Sequence, residues 1–299
     1  MGVLFALLTA SSYSLSNIFI RKGMGTSKAD NGLLMTVIVN VIILGIAAIL
    51  YRIFTTNVPI TLYAVSVFAI SGALTTFLGR IALFKSFREI GPIRGSAIKS
   101  SAPLFTIIFA VIFLQEVIRM LPFIGILFVL VGLGIQGYYL LRQSSIDVNK
   151  KDVNLKHGYF LALFSAIVFG VGQAIRKPGM EALPDPVFGA FIGSGAALAM
   201  ILLSEWKKGV LKETVTNQIT SFNLYYLFSG LLTSVAMLSF FIAMLYMQVS
   251  YVVAIAASEP LITILLSKII LKKQESIAYH SIFSAFVVFS GVLIIILFT

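Results

Sequence analysis

Of the eleven acidic residues in the chain, Glu259 alone falls near the middle of a long apolar run, Tyr251 to Leu271. A carboxylate at that depth is costly unless paired or hydrated, so its presence points to a function: binding a substrate ammonium or carrying a proton. Pro260 follows it, and proline removes a backbone donor and bends a helix, freeing carbonyls that can line a cavity. Lys99 stands in a second apolar run, one helical turn before Ala102, where it would favour a carboxylate or phosphate. Ser96, Lys99, Ala102, Pro103 and Thr106 share one helix face; Ala256, Glu259 and Thr263 share another. Arg80 adds positive charge on the side of Arg94 and Lys99, either as part of an anion-attracting vestibule or by snorkelling to headgroups. Asn17 and Gln173 are amides inside apolar runs, where they bond between helices or contact solute. Tyr13 and Tyr251 are aromatics that pack, or stack on a bound solute.

The elements that must position these residues follow from composition. The chain has 299 residues, 59% hydrophobic and 11% charged, with no cysteine and a mean hydropathy of +1.02. A water-soluble domain is excluded, as are disulfides and thiolate metal sites. Apolar runs fall near 2–20, 32–51, 62–84, 95–114, 120–141, 158–175, 186–204, 222–246, 250–271 and 277–298. Runs of this length must be helices, because lipid offers no hydrogen bonds to an open backbone and the alternation of a membrane barrel is missing. The first run has no basic residue before it and carries Arg21 and Lys22 after it, the reverse of a signal peptide, so it reads as a retained helix. The expected fold is an all-α polytopic membrane protein of ten helices.

The polar stretch 143–156 divides the chain into near-equal halves. An offset of 156 lays Gly2–Gly23 on Gly158–Gly179, pairing Asn17 with Gln173 and Tyr13 with Phe169. An offset of 157 lays Ala97–Leu114 on Ala254–Leu271, pairing Pro103 with Pro260 and Thr106 with Thr263. Residues 1–142 and 157–299 are therefore expected to be two five-helix repeats joined by a linker. Five is odd, so the second repeat enters the membrane inverted, the architecture of many alternating-access transporters. Under that symmetry Lys99 and Glu259 would line one central cavity.

The net charge of +11 is distributed by topology rather than by any affinity for nucleic acid. Connections after odd-numbered helices hold sixteen basic residues, against four, Arg52, Arg119, Arg176 and Lys177, after even-numbered ones. The loop with Lys85, Arg88 and Arg94 corresponds to the uncharged stretch Ala243–Tyr251 of the second half, as oppositely facing loops should.

These features resemble the EamA-type transporters of the drug/metabolite transporter superfamily, over nearly the whole chain. The resemblance is carried by the tandem repeats, by Pro103 and Pro260, and by a glutamate soon after the fourth helix of each repeat, Glu116 in FLQE and Glu275 in KKQE. It implies a multi-pass protein of the cell membrane that acts as a monomer, needs no cofactor and moves a small solute. Relatives are usually placed with both termini in the cytoplasm and often carry a basic loop after helix two. Here that loop holds only Arg52, and the positive-inside rule puts both termini outside.

His157 and His280 lie at run edges without an HExxH pattern, and no phosphate-binding glycine motif is present, so metal hydrolysis and ATP-driven pumping lack their residues. The leading expectation is a secondary transporter or exchanger of a small polar metabolite, an amino-acid-like zwitterion or an organic or phosphorylated anion. A coupled proton or counter-substrate would drive it. Proton-coupled efflux of lipophilic cations is the alternative, against which Lys99 argues. An intramembrane enzyme would need a base for Ser100, Ser101 or Ser258, and the runs offer only Glu259. The charge asymmetry makes a topological prediction: a reporter active only in the cytoplasm stays silent when fused after Thr299, and cytoplasmic activity there overturns the assignment.

Overall fold

In the computed structural model the described residues are 1–26, 32–55, 59–90, 92–143, 155–220, 222–271 and 279–299. Lys28, Lys150, Lys151, Lys272, Lys273 and Glu275 lie outside them. The helices are α1 (Gly2–Thr26), α2 (Gly32–Phe54), α3 (Leu62–Gly72), α4 (Gly79–Ile90), α5 (Pro92–Lys99), α6 (Ala102–Phe113), α7 (Met120–Gln143), α8 (Leu155–Ala182), α9 (Pro186–Lys207), α10 (Leu211–Thr220), α11 (Leu224–Tyr246), α12 (Val249–Ala256), α13 (Glu259–Leu271) and α14 (Tyr279–Phe298). A π-helical segment, Ala73–Leu78, lies in the chain between α3 and α4. Among the described residues nine stretches are long and apolar enough to cross a membrane, and Ile282–Phe298 is a shorter apolar helix at the place of the tenth run.

The spans fall where hydropathy puts them, but several boundaries move, with α1 reaching Thr26 and α2 reaching Phe54 among them. The sixth run was expected to stop at 175, before the stop-like sequence Arg176-Lys177-Pro178-Gly179; α8 instead continues through Pro178 to Ala182. Arg176 turns inward and is buried, and the Lys177 Nζ donates to the Met244 carbonyl at 3.0 Å. Both are therefore helical residues rather than loop residues; Arg52 too lies in the last turn of α2, which leaves Arg119 outside a helix among the four. The third run extends to Ile90, so Lys85 and Arg88 sit on α4 with Ala82, Ser86 and Ile90 forming its buried side.

The described chain packs as two compact units: Met1–Ala73 with Ile175–Tyr246 and Ile262–Lys273, and Leu74–Ala174 with Met247–Leu261 and Gln274–Thr299. Each takes helices from both halves of the sequence. In the first, α1 packs on α11, and α2 and α3 pack on α9. Small and hydroxylated residues make these contacts: the Ser16 hydroxyl is 2.8 Å from that of Ser229 and 2.9 Å from that of Thr233, the kind of bond that joins helices where lipid supplies none. In the second, α7 packs on α14 and α6 on α12. There Ser284 donates to the Gln136 Oε1 at 2.7 Å.

Backbones approach closely where glycines meet. Gly193, within the GxxxG of α9, faces Gly72 of α3, and a Cβ built on Gly72 would fall on the Gly193 carbonyl oxygen. Overpacking of this kind costs about 1–3 kcal/mol. Gly72→Ala is expected to lower the thermal unfolding midpoint of detergent-purified protein, whereas alanine at Gly195, which faces open space, leaves it unchanged.

Candidate functional site

Two helices are broken in the same way. The fourth span breaks between Lys99, the end of α5, and Ala102, the start of α6; the ninth breaks between Ala256, the end of α12, and Glu259, the start of α13. These positions coincide at the repeat offset of 157. In each break a serine closes the first half-helix: the Ser101 N–H and hydroxyl donate to the Ile98 carbonyl at 3.0 and 2.7 Å, and those of Ser258 donate to the Ile255 carbonyl at 3.1 and 2.8 Å. Each serine carbonyl then accepts the first bond of the second half-helix, from Leu104 at 3.0 Å and from Leu261 at 3.1 Å. Pro103 and Pro260 have no N–H to give, so the carbonyls four residues back, Lys99 and Ala256, lose that helical bond. The repeated pattern is Ser-x-Pro, of which only the proline was singled out from sequence.

The breaks place the charges. Lys99 is the last residue of α5, where the negative end of the helix dipole favours a cation, and Glu259 is the first of α13, where the positive end favours an anion. Both belong to the second unit and both are half-buried. The Lys99 ammonium lies 4.1 Å from the centre of the Phe169 ring on α8, close enough for a cation–π contact. Glu259 and Arg80 are the charged groups whose fields act on it. The backbone of α8 touches the fourth-span break: a Cβ on Gly170 would lie 2.6 Å from the Ala102 carbonyl oxygen. Thr106 also donates to the Gly170 carbonyl at 3.0 Å, and its hydroxyl lies 3.5 Å from the Gln173 Oε1.

The first unit holds a charged residue that the sequence reading had counted among the loops. Arg176 is 4% exposed. Its Nε donates to the Ser71 hydroxyl at 3.0 Å, and its guanidinium carbon lies 5.3 and 5.1 Å from the ring centres of Phe240 and Phe241. Taking a charge out of water still costs several kcal/mol after relaxation. Two ring contacts of about 0.5–2 kcal/mol each and a charge-assisted bond of about 1.5–3 kcal/mol offset that cost on the same scale. Tyr13 lies within electrostatic range of the guanidinium.

Residues 1–136 and 156–297 each match the EamA-like transporter family. The chain belongs to the EamA-like transporter family. It is a membrane transporter of the drug/metabolite transporter superfamily, a group defined by transport rather than by enzymatic chemistry. One solved crystal structure, described only as that of a protein, resembles it in fold with a TM-score of 0.67 at 16% identity, covering 98% of this chain and 99% of its own. No curated protein matches.

The remaining expected residues of this EamA-like chain divide between the two units. Arg80, Lys99, Glu259, Gln173, Ser96 and Tyr251 are in the second unit; Tyr13 and Asn17, both half-buried on α1, are in the first. Ser96 is exposed, and its carbonyl accepts from Ser100. Tyr251 is 5% exposed, and its hydroxyl accepts from the Arg119 N–H at 3.3 Å, so it braces the connection after α6. Arg94 is buried and donates to the Tyr159 hydroxyl at 3.1 Å. Glu116 proves to be a cap: its carboxylate accepts the Val249 N–H at 2.7 Å, the Ser250 N–H at 3.1 Å and the Ser250 hydroxyl at 2.6 Å. Gln115 just before it has φ 53°, left-handed backbone that turns the chain toward α12. The cap holds the buried half-helix that leads to Glu259. Glu116→Ala is expected to lower stability by about 1–3 kcal/mol, the scale of charge-assisted bonds to a helix start, read as a fall in the unfolding midpoint.

Proposed function

We propose that this transporter is a secondary carrier or exchanger that moves a small polar metabolite by alternating access, with Lys99 and Glu259 at its binding centre. The observation that carries this reading is the pairing of opposite charges at two repeat-related helix breaks, with Glu259 and Arg80 as the charged neighbours of Lys99. A lysine at a half-helix end suits a solute carboxylate or phosphate, and a glutamate at a half-helix start suits a solute ammonium or a transferable proton. Arg80 adds attraction for an anion. Phe169, stacked on the ammonium, restricts where the Lys99 side chain can point. The two repeats, residues 1–142 and 157–299, supply the inverted symmetry on which alternating access depends, and both lie in one chain, so the carrier works as a monomer in the cell membrane.

The test is counterflow in proteoliposomes across amino acids, organic acids, phosphorylated metabolites and cationic dyes. A polar anion or zwitterion is expected to exchange, and Lys99→Gln and Glu259→Gln each to slow it by about tenfold or more, the scale of one charge-assisted contact. Wild-type rate and pH dependence in Glu259→Gln removes that residue from the mechanism. Exchange of cationic dyes alone, unaffected by Lys99→Gln, replaces the reading with cation efflux.

A further inference from the structure

We propose that the groove between the end of α7 and the start of α14 binds one anionic phospholipid, its phosphate held by Arg142 and an acyl chain laid against Gly134, Ile135 and Phe283. The groove lies within the second unit. It has a volume of about 510 Å³ and is lined by Gly134, Ile135, Tyr138, Tyr139, Tyr279 and Phe283, none of them among the residues assigned to the solute. Elsewhere along their seam α7 and α14 pack closely. A Cβ on Gly125 would lie 2.7 Å from the Gly291 carbonyl oxygen, and one on Gly132 would lie 2.5 Å from the Val288 Cγ2. One turn further on, Ser284 bonds to Gln136. Gly134 is different, because nothing lies within 4 Å of a Cβ built on it. Its missing side chain is not needed for the two helices to meet, and it leaves the floor of the groove open.

The chemistry along α7 follows the order of a phospholipid. Gly134 and Ile135 come first, Tyr138 and Tyr139 one turn later, and the exposed Arg142 one turn later again, as the last residue of the span. Apolar floor, tyrosine hydroxyls and guanidinium thus succeed one another over about 12 Å of helix axis. On the opposite wall Tyr279, the exposed first residue of α14, stands at the mouth, and Phe283 lies one turn deeper. Tyrosine at headgroup depth with arginine just beyond it is the arrangement that holds a lipid at the interface. The connection that leaves Arg142 and the one that leads to Tyr279 both belong to the odd-numbered set holding sixteen basic residues. The mouth therefore opens on the membrane side that draws anionic headgroups. A choline lipid fits the same floor but sets its own cation beside the arginine, which selects for the anionic one.

The test uses the full-length protein in detergent and native mass spectrometry to count retained lipid, with phosphatidylglycerol and phosphatidylcholine of the same acyl chains as probes. The wild type is expected to hold one phosphatidylglycerol about fivefold more tightly than phosphatidylcholine, the scale of one basic residue at an anionic headgroup. Arg142→Gln is expected to remove that preference, and Gly134→Leu, which fills the floor, to weaken retention of both lipids by about fivefold or more. Leucine favours a helix over glycine, so Gly134→Leu is expected to match or exceed the wild-type unfolding midpoint without lipid; should it fail to fold, Arg142→Gln carries the test. Lys207→Gln, which removes an equally exposed cation at the end of α9, is expected to leave retention unchanged. Wild-type selectivity in Arg142→Gln, wild-type retention in folded Gly134→Leu, or an equal loss in Lys207→Gln overturns the proposal. So does equal retention of the two lipids by the wild type. A dimer that Gly134→Leu dissociates also overturns it, by assigning the groove to a second copy of the chain. Because the readout is bound lipid rather than transport, the result is independent of the solute reading.

Discussion

Hydrocarbon completes no hydrogen bond and screens no charge, so every polar group that this chain carries into the bilayer must be answered from within the protein. The broken fourth and ninth spans show the constraint most plainly. Proline removes a donor, the helix stops, and a serine two positions earlier donates back to the carbonyl three residues before it while its own carbonyl accepts the first bond of the next half-helix. Because the same substitute bonds are made at both breaks, the interruption is a stable feature of the backbone. It creates two helix ends inside the span where an unbroken rod would have none.

Those ends decide where charge can reside. A lysine closing α5 and a glutamate opening α13 each sit at the pole of a helix dipole that favours them, and a phenyl ring supports the ammonium. Arg176 is accommodated by other means, between two rings and a serine hydroxyl on regular helices. Arg52, at the end of α2, uses a third: its Nε is 3.2 Å from the Asp185 carboxylate, and the same carboxylate caps α9 by accepting the Phe188 N–H at 2.9 Å. Each solution is local, and each ties together helices from different halves of the chain. Glu116 does the same at the start of α12.

The repeats and the packing units are different divisions of one chain. The family matches the sequence twice in succession, whereas each compact unit draws helices from both halves. Helices that face lipid on one side and protein on the other do not distinguish a neighbour by its place in the sequence; they pack where small residues allow close approach, as Gly72 does with Gly193.

Hydropathy alone was enough for the spans, because twenty apolar residues have only one way to satisfy their backbone in lipid. The matched prolines, the offset of 157 and the solitary mid-span Glu259 were equally legible, since each is a property of residue type and position. Where α8 ends was not, because Arg-Lys-Pro-Gly is a stop signal only when nothing inside the protein receives the arginine, and Ser71, Phe240 and Phe241 do. The capping role of Glu116 and the bracing role of Tyr251 were hidden for the same reason: their partners are more than a hundred residues away in sequence. The amino-acid order by itself determined which segments enter the membrane and which charges go with them; only the tertiary structure decided which of those charges turn inward, because that depends on partners brought close by packing.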